Sequence, residues 1–122
     1  MDIKIIEKNT LPIAVVQSDQ ILITDVQSAL DLIATVSYDT GSNCMVLPKA
    51  ALAEDFFKLS TRLAGDILQK FINYQMKLAV VGDYSHYTSK PLKDFIYESN
   101  NGKHIFFVSS VDEALEKLAS AR

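Results

Sequence analysis

Lys77-Leu78-Ala79-Val80-Val81, followed by Gly82-Asp83, is the stretch whose reading decides the fold. Its four consecutive apolar residues show no polar alternation, the pattern of a strand covered on both faces. A strand covered in that way belongs in a parallel sheet with helices packed on it. The flanking sequence supplies the helices. From Ser60 to about Tyr74, Leu63, Ala64, Ile67, Leu68, Phe71 and Ile72 recur at helical spacing, with Arg62, Asp66, Gln69, Lys70 and Asn73 outside that stripe. Downstream, a helix near 89–99 places Leu92, Phe95, Ile96 and Ser99 on one side, and Asn100-Asn101-Gly102 stops it.

Further out the alternation continues. Cys44-Met45-Val46-Leu47 reads as a short buried strand stopped by Pro48. Before it, Thr24 and Gln27 have capping-box spacing at the start of a helix carrying Val26, Ala29, Leu30, Ile33 and Val36 or Tyr38, ended by Thr40-Gly41-Ser42-Asn43. Residues 104–108 are a last strand, and Ser110 with Glu113 opens the final helix of Val111, Ala114, Leu115 and Leu118. At the other end, residues 2–7 and 11–17 around Asn9-Thr10 predict an antiparallel hairpin, with Pro12 at a strand start or edge because it has no N–H. Gln20-Ile21-Leu22-Ile23 adds a short extended piece. Residues 49–59 have no clear period, and Phe56 and Phe57 should anchor them to the core. The predicted order is β-β-α-β-α-β-α-β-α: one α/β domain over residues 1–122 with a mixed, mostly parallel sheet.

The bulk numbers agree. A chain of 122 residues, 48% apolar and 22% charged, is one ordinary domain able to bury a core. The net charge of −3 lacks the basic stripe that nucleic acid or an anionic membrane requires. One cysteine, Cys44, makes no internal disulfide, and Met1-Asp2-Ile3-Lys4 does not read as a signal peptide, so a cytoplasmic location is expected. Two histidines 18 positions apart and a remote cysteine make no zinc set. GxGxxG, GxxxxGK[ST] and GxSxG are all absent, so no cofactor or metal is expected.

Ligands of such sheets bind where strands run into helix N-termini. Two segments qualify. Ser60, Thr61 and Arg62 enter the longest helix, where free N–H groups take either a capping hydroxyl or an anion. After the 77–81 strand, Gly82 permits a tight turn and Asp83, Tyr84, Ser85, His86, Tyr87, Thr88 and Ser89 offer seven consecutive polar side chains. Asp83 and His86 are acid/base types, but a solvated loop capped by Thr88 or Ser89, with Pro91 in the first turn, accounts for the same residues.

The chain resembles the bacterial family catalogued as domain of unknown function 4180. The resemblance runs from Ile3-Lys4-Ile5-Ile6 to the final helix. It is carried by Asp55-Phe56-Phe57-Lys58-Leu59-Ser60-Thr61, by Leu63-Ala64-Gly65-Asp66-Ile67-Leu68-Gln69-Lys70-Phe71, by Lys77 to Asp83, and by Tyr87 to Asn100. It implies no activity. At the level of element order the chain is also similar to STAS (sulfate transporter and anti-sigma factor antagonist) domains, including the SpoIIAA-like proteins. There a serine at a helix entrance is phosphorylated to switch partner binding, and Ser60 and Thr61 occupy the comparable entrance. Here no Asp directly precedes the hydroxyl pair and no Gly follows it. The expectation is a non-enzymatic regulatory or protein-binding module with an unknown protein partner. The alternative is small-ligand binding, or an enzyme with Asp83 and His86 as acid and base. The first hairpin leaves an edge through which a homodimer could form.

Overall fold

A computed structural model describes residues 1–121. Five strands, β1 (Asp2–Lys8), β2 (Leu11–Gln17), β3 (Cys44–Pro48), β4 (Lys77–Val81) and β5 (Ile105–Val108), lie in the spatial order β1-β2-β3-β4-β5. The β1–β2 pair is antiparallel and every other pair is parallel. The helices are α1 (Val26–Thr40), α2 (Leu63–Asn73), α3 (Lys90–Asn100) and α4 (Val111–Ser120).

The sheet separates two cores. One face takes Ala14, Val16, Met45, Leu47, Leu78, Val80, Ile105 and Phe107 against α1, α2 and α3. The other takes Ile13, Val15, Cys44, Val46, Ala79, Phe106 and Val108 against α4. The period-2 alternation of a strand thus sends neighbouring residues to different helices. It also explains why β3, β4 and β5 are nearly unbroken apolar runs. Cys44 is a buried core residue.

Several local expectations shift, each for a physical reason. The α1 capping box is one residue later than Thr24–Gln27. Asp25 accepts from the Ser28 amide at 2.8 Å, while the Ser28 hydroxyl accepts from the Asp25 amide at 3.1 Å. A carboxylate at the cap also suits the helix dipole. Of the two α1 alternatives, Val36 is buried and Tyr38 is 91% exposed. Ser60 does not open α2. Residues 59–61 form a single 3₁₀ turn, Arg62 adopts φ 62°, and the helix begins at Leu63. Residues 20–23 make no strand; Ile23 forms one isolated bridge to Leu52. The stretch 49–61 is three short 3₁₀ turns, and Phe56 and Phe57 are buried as anchors.

Pro12 lies in β2, an inner strand, yet costs no ladder bond. Asn9 and Thr10, with φ 52° and 67°, form the tight turn of a two-residue hairpin. The turn bond joins Lys8 to Leu11, so Pro12 faces Glu7 in a pair without hydrogen bonds to β1. Its other side looks toward β3 before that strand begins, where the Ser42 hydroxyl donates to the Pro12 carbonyl.

Candidate functional site

The carboxyl ends of β3 and β4 carry a rim of polar and aromatic side chains. Lys49 directly follows β3, and residues 82–89 follow β4. The Lys49 ammonium sits 5.0 Å from the Phe57 ring centre and 4.9 Å from that of Tyr87. Glu54 approaches the same ammonium at 3.9 Å and accepts a 2.9 Å hydrogen bond from the Tyr87 hydroxyl. Phe57 stacks on Tyr87 with centroids 5.3 Å apart. The ammonium lies beside the stacked pair, near enough to each ring to gain from both quadrupoles, so this cluster pins the β4–α3 loop to residues 49–57.

Gly82 has a role that the tight-turn expectation does not describe. Its φ is not positive. A Cβ there would stand 2.5 Å from Lys49 Cβ, so the absent side chain is the space through which Lys49 crosses.

Within the loop, Asp83, Tyr84, Tyr87 and Ser89 each have a hydrogen-bond partner. The Tyr84 ring is half-buried, and its hydroxyl donates to the Val80 carbonyl at 2.7 Å. Burial, followed by the neighbouring Tyr87, pushes its pKa up. Tyr87 is raised as well, by burial first and then by Glu54. Asp83 accepts the Ser85 amide at 2.9 Å. Hydrogen bonding from the Ser85 side chain and amide, with smaller help from His86 and Lys49, holds its carboxyl below the usual range. A carboxylate stabilised in that way is a weak proton acceptor at neutral pH. His86 lies against the Tyr87 ring, is exposed, and has no hydrogen bond among the described residues. Thr88 is exposed, and Ser89, not Thr88, caps α3 by accepting from Leu92 at 3.4 Å. Asp83 and His86 therefore share a loop without forming a hydrogen-bonded pair.

The other entrance is linked to this loop through residues 54–57. The Thr61 hydroxyl lies 2.8 Å from the Lys58 carbonyl and 3.0 Å from that of Asp55, and it accepts from the Leu63 amide. Thr61 therefore stabilises its own turn. Ser60 is exposed, and its hydroxyl has no hydrogen-bond partner among the described residues. Arg62 is exposed as well, with no ion pair among them. Lys58 pairs with Asp55 at 3.4 Å.

Reading the residues alone missed Lys49 and Glu54. One signal was available: no Lys, Arg or His occurs between Lys8 and Lys49, and Lys49 stands immediately after a strand's carboxyl end.

Cavities lie elsewhere. One of about 380 Å³ is lined by Leu30, Ile33, Ala34 and Tyr74. Another of about 360 Å³ lies on the α4 side, among Val15, Val46, Val81 and Val111. Neither includes a residue of 60–62 or 83–89. No group of three or more His, Cys, Asp or Glu among the described residues could hold a metal ion. No helix among them is long and apolar enough to cross a membrane.

Compared with known proteins, residues 8–118 match the family model described as "Domain of unknown function (DUF4180)". No curated protein and no solved structure matches the chain.

Proposed function

Since the chain belongs to the DUF4180 family, whose description assigns no activity, we propose a function from the geometry of its rim: a non-enzymatic, protein-binding regulatory module of the STAS type. Its partner docks on the rim formed by Ser60–Arg62 and Asp83–Ser89. The observation that carries this reading is the clamp. Lys49, Phe57, Glu54 and Tyr87 close the loop onto the neighbouring turns, and Asp83 is turned in on Ser85. A site for general acid/base chemistry needs a base oriented toward an open reacting position. A closed rim with exposed Ser60, Arg62, Ser85, His86 and Thr88 instead presents a fixed polar surface.

The element order supports the STAS reading, and the exposed Ser60 hydroxyl supports a switch at that residue rather than at Thr61. A phosphate on Ser60 adds roughly −1.5 to −2 charges between Lys58 and Arg62. Those cations would be drawn onto it, which changes the charge a partner meets.

The test is affinity capture from the native host's lysate with the wild type, with Ser85→Lys/Thr88→Lys, and with Lys117→Glu, exposed on α4 and outside both the rim and β1, as control. The expected result is a partner retained by the wild type and the control and lost by the double variant. Equal retention by all three removes the rim as the docking face. Mass spectrometry of the same native protein should find phosphate on Ser60 and none on Thr61. An unmodified Ser60 under all growth conditions ends the switch.

A further inference from the structure

Strand β1 is the terminal strand of the sheet, and its outer edge is unpaired. The hairpin decides which main-chain groups that edge presents. With Lys8 and Leu11 joined across the turn, Lys8, Ile6, Lys4 and Asp2 bond inward to β2. Ile3, Ile5 and Glu7 therefore direct their N–H and C=O groups outward. Such an edge is a template for another strand unless it is blunted or covered. Ile5, at its centre, is 44% exposed.

We propose that the chain forms a symmetric dimer in which β1 pairs antiparallel with β1 of a second copy, the two-fold axis passing at Ile5. The two five-stranded sheets then become one continuous sheet. Ile5 faces the second copy's Ile5, and Ile3 faces its Glu7. These pairs involve only outward-directed groups, so each exchanges two main-chain bonds.

The charge pattern selects both the occupant and the register. With Ile5 on the axis, Asp2 of each copy faces Lys8 of the other, and Lys4 faces Ile6, across which its alkyl stem can lie. No like charges stand opposite each other. Directly opposed side chains must point to the same side of the sheet, so the register can change only in steps that keep this parity. One such step sets Lys4 against Lys4, and the other sets Lys4 against Lys8. A further step, with Ile3 on the axis, sets Asp2 against Lys4 but leaves Ile6, Glu7 and Lys8 unpaired, so among the registers that use the length of the strand the lysines admit one. The ion pair of Lys8 with Glu116 on α4, at 3.4 Å, holds that lysine on the α4 side, the side Asp2 shares.

Sedimentation of the full chain across nanomolar to millimolar concentration tests this. The wild type should dimerise, and Ile5→Lys should be monomeric with an unchanged helix and strand signal. Asp2→Lys, which opposes two lysines at each end, should raise the dissociation constant by roughly tenfold. Lys8→Asp alone should also raise it, and Asp2→Lys/Lys8→Asp should recover most of the loss. A wild type that stays monomeric throughout overturns the proposal, as does a dimer indifferent to Ile5→Lys. Should Ile5→Lys fail to fold, the charge swap decides: a double variant no tighter than either single substitution contradicts the register.

Discussion

The two helix entrances at the sheet's carboxyl edge look alike as sequence and differ as structure. Ser60-Thr61-Arg62 and Asp83 to Ser89 are both hydroxyl-rich segments running into a helix. The first is organised by its own backbone: Thr61 ties back to Lys58 and Asp55, Arg62 turns left-handed, and Ser60 is left outside. The second is organised by tertiary contacts. Tyr84 and Tyr87 reach back to Val80 and Glu54, and both pack on Phe57. Hydroxyl density therefore has a different structural meaning at each entrance. At one entrance it marks a turn with one spare serine, and at the other an aromatic anchor with polar tips.

The comparison breaks most severely at Phe57, which touches Phe56, Tyr84, Tyr87, Phe107 and Lys49. Phe57→Ala should cost about 3–5 kcal/mol in urea unfolding, the range for a buried aromatic truncation. It should also loosen residues 83–89 while sparing the left-handed turn at Arg62. Glycines sharpen the contrast next. Gly82→Ala should lose about 1–3 kcal/mol, because its Cβ meets Lys49. Gly65→Ala, inside α2 with nothing within 4 Å of the new Cβ, should gain about 0.5–1 kcal/mol. Thermal or urea midpoints should therefore move in opposite directions.

Tyr84→Phe should cost about 1 kcal/mol by removing the donor to the Val80 carbonyl. It should also change the alkaline limb of stability. The folded state raises the Tyr84 and Tyr87 pKa values above their ordinary value of 10.0. Below pH 10 both phenols are neutral in folded and unfolded chains, so the folded protein keeps its full stability. Above it the unfolded chain releases protons that the folded chain retains, so stability falls as pH rises. Tyr84→Phe should flatten that fall, and Tyr84→Phe/Tyr87→Phe should flatten it further. Tyr87→Phe alone, at an exposed hydrogen bond, should shift stability at neutral pH by no more than about 0.5 kcal/mol.

The α/β class and the five-strand, four-helix composition were legible because burial on two faces leaves unbroken apolar runs such as Leu78–Val81, and amphipathic helices leave their period. The α1 cap was blurred because Thr24 with Gln27 and Asp25 with Ser28 offer the same spacing one residue apart. Only the carboxylate geometry separates them. Residues 49–59 were opaque because short 3₁₀ turns have no apolar period, and what holds them is Phe56 and Phe57 meeting side chains distant in sequence. Tyr84 and Tyr87 counted among seven polar side chains on offer because a sequence does not say whether a phenol points outward or back at its own fold. Gly82 read as a turn residue for a similar reason: its neighbour in space, Lys49, lies 33 positions away.

The central claim is that the rim is a fixed docking face and not a lid that closes over a substrate. Backbone ¹⁵N relaxation of residues 83–89 tests it directly, because catalytic lids are mobile when empty. Order parameters near those of the helices, about 0.85, are the expected result. Values below about 0.6, with the Tyr87 ring detached from Phe57, would contradict the account.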